Sequence, residues 1–211
     1  QVITDKNKED YLLNYVSYID QFGTFFENMK IIEHFEFISQ LKKQNFNQNK
    51  MLETLYLVGL DAIDLKNYPS SLSIGQRKRF LIALAMYKDA SIIIIDEPTA
   101  SLDPLNAAML EEVLEKLSRE GKTLLLSTHD VDFAYRFADR ILVFDNGRIL
   151  ADGTPLEVFK NISVLKQANL KRPLLLDVCE DLAAHGLFPK GSFYPRDFSE
   201  FHTYLAQRNS F

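Results

Sequence analysis

Apolar positions along the chain follow two rhythms. Ile31, Ile32, Phe35, Ile38 and Leu41 recur at the spacing of one helix face. Leu52, Leu55 and Val58 do so again after a polar stretch at 42–50 rich in Asn, Gln and Lys. Gly59 stands where a left-handed helix cap belongs, with Leu60 as its apolar contact. Phe80, Leu81, Leu84 and Ala85 predict a third helix. Between the helices lie short apolar runs. Val16 to Ile19 predicts a strand that ends at Asp20-Gln21, and the runs 91–96 and 123–127 predict strands buried on both faces of a parallel sheet. Asp103 and Pro104 open a helix as N-cap and first residue, with an apolar stripe of Met109, Leu110, Val113, Leu114 and Leu117. Glu112/Lys116 and Glu115/Arg119 decorate its outer side, and Gly121 closes it. A short helix from Asp130 is expected to bury Phe133, Ala134 and Phe137. Asp145-Asn146-Gly147 between two apolar runs predicts a hairpin, and Thr154-Pro155 starts a helix reaching Phe159.

Alternating strands and helices give an α/β fold with a mainly parallel sheet. After Ile162 the strand pattern stops, and Pro173, Pro189 and Pro195 break what remains into short helices. The expected division is therefore a domain over 1–162, with a helical subdomain at about 28–90, and a small helical appendage over 163–211.

Composition narrows the function classes. The 211 residues are 46% hydrophobic and 25% charged, which fits an ordered globular chain. Lys and Arg number 24 against 29 Asp and Glu, a net charge of −5 that gives no electrostatic reason to expect a nucleic-acid partner. A single cysteine, Cys179, excludes an internal disulfide framework and a cysteine zinc site, and suits a reducing compartment. No apolar run approaches the roughly 20 residues of a membrane span. The first residue is Gln1, and the charged stretch after it is no signal peptide, so the sequence is expected to be a piece of a longer protein.

Three segments carry chemistry. The apolar run from Ile92 to Ile95 ends in Asp96-Glu97, which places two carboxylates at the C-terminal edge of a parallel sheet, where α/β ligands bind. Adjacent residues on an extended chain point to opposite sides, so the two should differ in task. Asp96 suits magnesium, which prefers oxygen ligands, and Glu97 suits activation of an attacking water. The alternative is that two acids only end a strand and cap the next element. Ser73 with Gln76 three residues on has capping-box spacing, which fixes a helix start whose free N–H groups and dipole suit a phosphate. Gly75 would let a ligand approach the backbone; taken singly, the box is only structural. Arg77, Lys78 and Arg79 in that first turn read as a solvated face, or else as a polar partner surface. His129 follows the strand 123–127 and suits contact with a phosphate or a water, or else is an ordinary turn residue.

In this order and spacing the segments resemble the nucleotide-binding subunit of an ABC transporter, over about residues 15–160. Gln21 matches the Q-loop glutamine, and Leu72-Ser73-Ile74-Gly75-Gln76 matches the signature motif, with Ile74 where the family commonly has Gly. Ile92 to Glu97 matches the Walker B strand with its catalytic glutamate. Ser101-Leu102-Asp103 matches the D-loop and His129 the switch histidine. The resemblance implies a P-loop NTPase-like cassette that pairs with a second, identical or different, so that two ATP molecules are sandwiched between signature motif and phosphate loop. It implies that Asp96 holds Mg2+, that Glu97 is the general base, that His129 stabilises the transition state, and that Gln21 senses the nucleotide. Ser73, Gly75, Gln76 and Asp103 would contact ATP. The helical subdomain would couple to an integral membrane subunit, with the protein peripheral on the cytoplasmic side of a bacterial membrane.

The family's phosphate loop, Gly-x-x-x-x-Gly-Lys-Ser/Thr, is absent from the sequence. Gly121-Lys122-Thr123 lies between a helix and a strand, the reverse of the required context. Since the family's loop precedes the Q-loop strand, it is expected upstream of Gln1. Asp145 through Pro155, and the stretch 163–190, resemble cobalt/nickel and energy-coupling-factor ATPases, whereas Phe25 to Leu65 is closer to exporter ATPases for peptides, lipids or drugs. The longer match points to metal or vitamin uptake. A non-hydrolysing partial cassette that acts as an interaction module is the remaining alternative.

Overall fold

Strand-forming residues in the first half of the chain pair as a parallel sheet in a computed structural model that describes residues 4–189, 191 and 193–208. Gln1, on which the expectation of a longer protein rests, lies outside the described residues. Strands β1 (Val16–Ile19), β2 (Ile92–Asp96) and β3 (Thr123–Ser127) form the sheet in that order. Ile19 pairs with Ile95, Ile95 with Leu126, and Asp96 with Ser127, so all three strands end at one edge. Isoleucine's stiff branched side chain suits this pleated surface. Yet β2 alternates: Ile93 and Ile95 are buried while Ile92 and Ile94 are half-buried. On β3, Thr123, Leu125 and Ser127 are exposed, Leu125 to 51%. The expectation of strands buried on both faces is thus corrected, because β3 is an edge strand of the described sheet and one face carries the core.

That core is built around one helix. After α1 (Lys8–Tyr15) and β1 come α2 (Ile31–Leu41), α3 (Gln48–Leu57), a 3-10 turn over Pro69–Ser71, α4 (Ile74–Lys88) and, beyond β2, α5 (Pro104–Arg119). Helix α4 packs on α2, α3, α5 and β1. Nine of its residues are buried, among them Phe80, Ile82, Ala83, Leu84 and Tyr87, so it has no solvent face of the usual width. Phe80 is the meeting point for Phe25, His34 and Phe35, with ring centroids 5.3–5.7 Å away. Helix α3 starts inside the polar stretch, where the Asn47 side chain accepts from the Lys50 amide. It ends as expected at Gly59 (φ +66°), with the Leu60 amide donating to the Leu55 carbonyl at 2.8 Å. Helix α4 ends the same way without glycine: Asp89 takes φ +59°, and its carboxylate meets Lys122 at 2.6 Å.

The second compact unit begins at Thr128. It contains α6 (Val131–Phe137), the hairpin β4 (Ile141–Asp145) and β5 (Arg148–Gly153), then α7 (Pro155–Lys160), α8 (Ile162–Gln167), α9 (Leu174–Ala184) and α10 (Phe198–Arg208). Asn146 and Gly147 both take positive φ, as the two-residue hairpin requires. In α6 the buried residues are Phe133 and Tyr135, in place of the expected Ala134 and Phe137. Tyr135 and Phe159 share a cluster with Leu165 and Leu176, and Arg196 donates to the carbonyls of Tyr135 and Ala138. The division at Ser127/Thr128 therefore differs from the one expected at 162/163, because residues on both sides of the expected boundary share one apolar cluster.

Two expectations follow for stability. The buried Tyr87 hydroxyl lies 2.8 Å from Ser39 Oγ and accepts from the Asn47 amide at 2.9 Å, which ties α2 and the start of α3 to α4. Tyr87→Phe should lower the unfolding free energy by about 1–3 kcal/mol in urea titration, because the buried Asn47 amide loses its partner and the Ser39 hydroxyl keeps only the Phe35 carbonyl. His34 is 5% exposed, with Nδ1 2.8 Å from the Lys30 carbonyl. Burial holds its pKa below the ordinary histidine value of 6.5, against the raising effects of the Lys30 carbonyl and Glu33. The unfolded chain takes up this proton first, so the contribution is constant above about 6.5 and is lost as pH falls below that value and through the lower folded-state pKa. The urea midpoint should drop on mild acidification, and the drop should be smaller in His34→Phe.

Candidate functional site

Asp96 closes β2 and accepts a hydrogen bond from the Ser127 hydroxyl. The Glu97 amide donates to the Ser127 carbonyl at 2.9 Å, which extends the pairing one residue past the strand. The backbone then turns sharply. Glu97 has φ +46° and Ser101 φ +62°, conformations that cost about 1–3 kcal/mol in a non-glycine residue and persist only when the surroundings enforce them.

The enforcement comes from α4. Lys78 is 2% exposed and its Nζ donates to three carbonyls of this turn: Glu97 at 2.7 Å, Pro98 at 3.0 Å and Ala100 at 2.9 Å. Burial lowers its pKa from the ordinary lysine value, against the raising pull of the Glu97 and Asp96 carboxylates. Arg79 is 5% exposed and donates to Met109 Sδ, while Arg77 donates to the Leu72 and Ser70 carbonyls at 3.1 Å. The solvated face expected for Arg77, Lys78 and Arg79 is corrected accordingly: Lys78 and Arg79 are buried, Lys78 on the carbonyls of the turn after β2 and Arg79 against Met109.

Upstream in the same helix the capping box forms in full. The Gln76 amide donates to Ser73 Oγ at 3.2 Å, and the Ser73 amide donates to Gln76 Oε1 at 2.9 Å. The Ser73 hydroxyl keeps its own proton as a donor. Gly75 has a second reason besides ligand approach. A Cβ there would stand 2.8 Å from Asn106 Oδ1 and 2.9 Å from its Cγ. Asn106 is in turn held by Asp103, which accepts from its amide at 2.9 Å and from its side chain at 2.6 Å. These bonds hold the Asp103 carboxyl below the usual range. Sequence reading gave Lys78 no part in this turn and did not single out Asn106; the Asp103-x-x-Asn106 spacing of an N-cap was the one local signal for the latter.

Gln21 sits half-buried just after β1, in a loop shaped by Asp20, whose carboxylate accepts from the Phe22 amide at 2.9 Å and from the Thr24 amide. Burial raises the Asp20 pKa, but the hydrogen bonds from Thr24, Phe22 and Gly23 outweigh it and the net shift is downward. The sheet register brings Gln21, Asp96 and Glu97 to one edge. Ser73, Gly75, Gln76 and Asp103 gather where α4 and α5 start. His129 belongs to the second unit, exposed between β3 and the N-cap Asp130 of α6. Gly121-Lys122-Thr123 is a helix exit: Gly121 has φ +83° and the Lys122 amide donates to the Leu117 carbonyl at 3.1 Å.

Among the described residues no group of three or more His, Cys, Asp and Glu could hold a metal ion unaided. Asp96 and Ser127 offer only oxygen donors, which suits a magnesium ion completed by water and phosphate. No described helix is long and apolar enough to cross a membrane.

Gly75→Ala should displace Asn106 and cost about 1–3 kcal/mol, offset by up to about 1 kcal/mol of helix propensity. Adding Asn106→Ala should remove most of the penalty, so thermal unfolding of the single and double variants should be strongly non-additive.

Residues 2–100 match the ABC transporter family. An energy-coupling factor transporter ATP-binding protein EcfA2 of Methanospirillum hungatei is 39% identical over 145 residues, covering 69% of this chain and 36% of that protein. The EcfA of Methanocaldococcus jannaschii is 38% identical over 64% of this chain and 48% of its own length, and the EcfA2 of Mycoplasmopsis synoviae is 34% identical over 77% and 52%. The chain thus spans a third to a half of the length of these relatives. A solved structure of the ATP-binding subunit of an ABC transporter superposes with TM-score 0.65 at 24% identity, over 78% of this chain and 70% of that one. An ATP-binding cassette dimer in a post-hydrolysis state, bound to ADP and Pi, gives TM-score 0.64 at 24% identity, over 72% and 68%. Sheet and relatives agree with the family match: the chain carries an ABC transporter ATP-binding domain and is similar, at 34–39% identity, to energy-coupling-factor ATPases.

Proposed function

We propose that this chain is part of an ATP-hydrolysing subunit that drives substrate movement through a membrane partner, with uptake of metal ions or vitamins as the transport class. The observation that carries the reading is the pair Asp96 and Glu97 at the C-terminal edge of the parallel sheet, with Glu97 in an enforced turn. In the proposed reaction Glu97 takes a proton from a water whose oxygen attacks the γ-phosphorus, and the bond to the β-phosphate oxygen breaks to give ADP and phosphate. Bound magnesium, held by Asp96 with Ser127 beside it, would neutralise phosphate charge. Ser73 Oγ–H and the first amides of α4 would donate to the γ-phosphate carried by a second cassette. Asp103 would stand beside that contact, His129 would contact the γ-phosphate, and Gln21 would report nucleotide state to the partner.

The membrane partner is proposed to dock on the helical part of the first unit. A cavity of about 300 Å³ opens there, lined by Phe25, Phe26, Phe37, Leu81 and Leu84, and Phe22, two residues before Thr24 of the same lining, is 80% exposed. The similarity to energy-coupling-factor proteins supports import over the exporter reading. A second reading, an interaction module without turnover, is favoured by the absence of a phosphate-loop run from these 211 residues. The two separate in an ATPase assay. The 211-residue chain alone should turn over ATP at background. In the protein's natural full-length form, Glu97→Gln should lower kcat by roughly 10²–10⁴-fold while ATP still binds. Unchanged steady-state hydrolysis in that variant would remove Glu97 from its role.

A further inference from the structure

Lys78 lies in the signature helix, yet every hydrogen bond its ammonium makes goes to the turn after β2. We propose that Lys78 is a positioning residue for Glu97: by donating to the carbonyls of Glu97, Pro98 and Ala100 it fixes the turn that aims the Glu97 carboxylate, and it makes that aim depend on the placement of the first turn of α4. The inference rests on the reading of Glu97 as the base.

The chemistry of the contact is specific. An ammonium has three protons, and three carbonyl oxygens meet it at 2.7–3.0 Å, so the group is fully satisfied with no water required. Arginine's planar fork cannot converge on one point, and glutamine brings only two donors. The held carbonyls span the interval between the two left-handed residues, Glu97 and Ser101. A turn that is unfavourable on its own backbone terms would relax without an outside hold. Lys78 is five residues beyond Ser73, on a helix whose start is locked by its capping box and by the Gly75–Asn106 contact. A shift of that helix start therefore moves Nζ against all three carbonyls together. The helix end proposed to take one cassette's phosphate is in this way joined to the carboxylate acting on the other nucleotide.

The test compares Lys78→Met, which keeps the apolar stem, with the parent in the natural full-length form. Amide exchange at Ala100 and Leu102, which donate to the Glu97 and Thr99 carbonyls, should accelerate at least tenfold, because the hold on the turn is gone. The kcat for ATP should fall roughly 10- to 100-fold with KM changed less than about threefold, as expected for a displaced reacting group. In a Glu97→Gln background, Lys78→Met should lower the residual rate no further. Lys78→Gln, with two donors, should fall between Met and the parent, and it decides the matter if the Met variant does not fold. Faster exchange with unchanged kcat would overturn the proposal, as would an equal loss of rate in both backgrounds. If Glu97→Gln alone leaves kcat intact, the underlying reading of Glu97 fails while the exchange result still reports on the hold itself.

Discussion

The burial of α4 on nearly all sides is the constraint from which the first unit is built. A helix with nine buried residues cannot be a decoration on a sheet; α2, α3, α5 and β1 are arranged to cover it. Its apolar positions supply the contact area, and several of its polar ones meet backbone groups outside the helix, Lys78 as a donor and Tyr87 as an acceptor. Tyr87 joins the starts and ends of the neighbouring helices, and Lys78 serves carbonyls that have no strand or helix to bond with. Lys78, the fifth residue of α4, sits near the helix end where the macrodipole disfavours a cation, and the carbonyls it serves hold it there.

Much of the fold could be read from the chain, for local reasons. The Ser73–Gln76 capping box, the Asp103-Pro104 helix start, the Gly59-Leu60 exit and the Asn146-Gly147 turn each depend on a few consecutive residues, and each formed as read. What could not be read depends on distant partners. Lys78 meets carbonyls 19 to 22 positions along the chain, so nothing beside it announces burial. Leu125 is exposed because it shares a sheet face with Tyr18 and Ile94, opposite the buried Ile93 and Ile95, and what covers a face is not written in the strand itself. The shared cluster of Tyr135, Phe159, Leu165 and Leu176 crosses the point where the strand pattern stops, so a change of local rhythm was no guide to where one compact unit begins.

The same contrast separates the parts of the candidate site. Asp96 and Glu97 were visible because a carboxylate pair ending an apolar strand has one address in an α/β fold. Gly75 was visible too, but for half its reason: a side-chain carbon there would collide with Asn106. The glycine is needed by the packing of two helix starts as well as by any ligand, so its presence alone does not separate a binding role from a structural one.

The four consecutive isoleucines of β2 carry a consequence for how this sheet is assembled. In most strands a slip of one residue exposes apolar side chains and buries polar ones, and the error corrects itself. In β2 a slip exchanges one isoleucine for another and leaves the buried surface nearly unchanged. Register information is therefore concentrated at the strand's end, in the Ser127 hydroxyl on Asp96 and the Ser127 carbonyl on the Glu97 amide. The residues that serve as the chemical edge of the sheet are also its alignment mark, and a misaligned strand would be a stable, well-packed and chemically empty one.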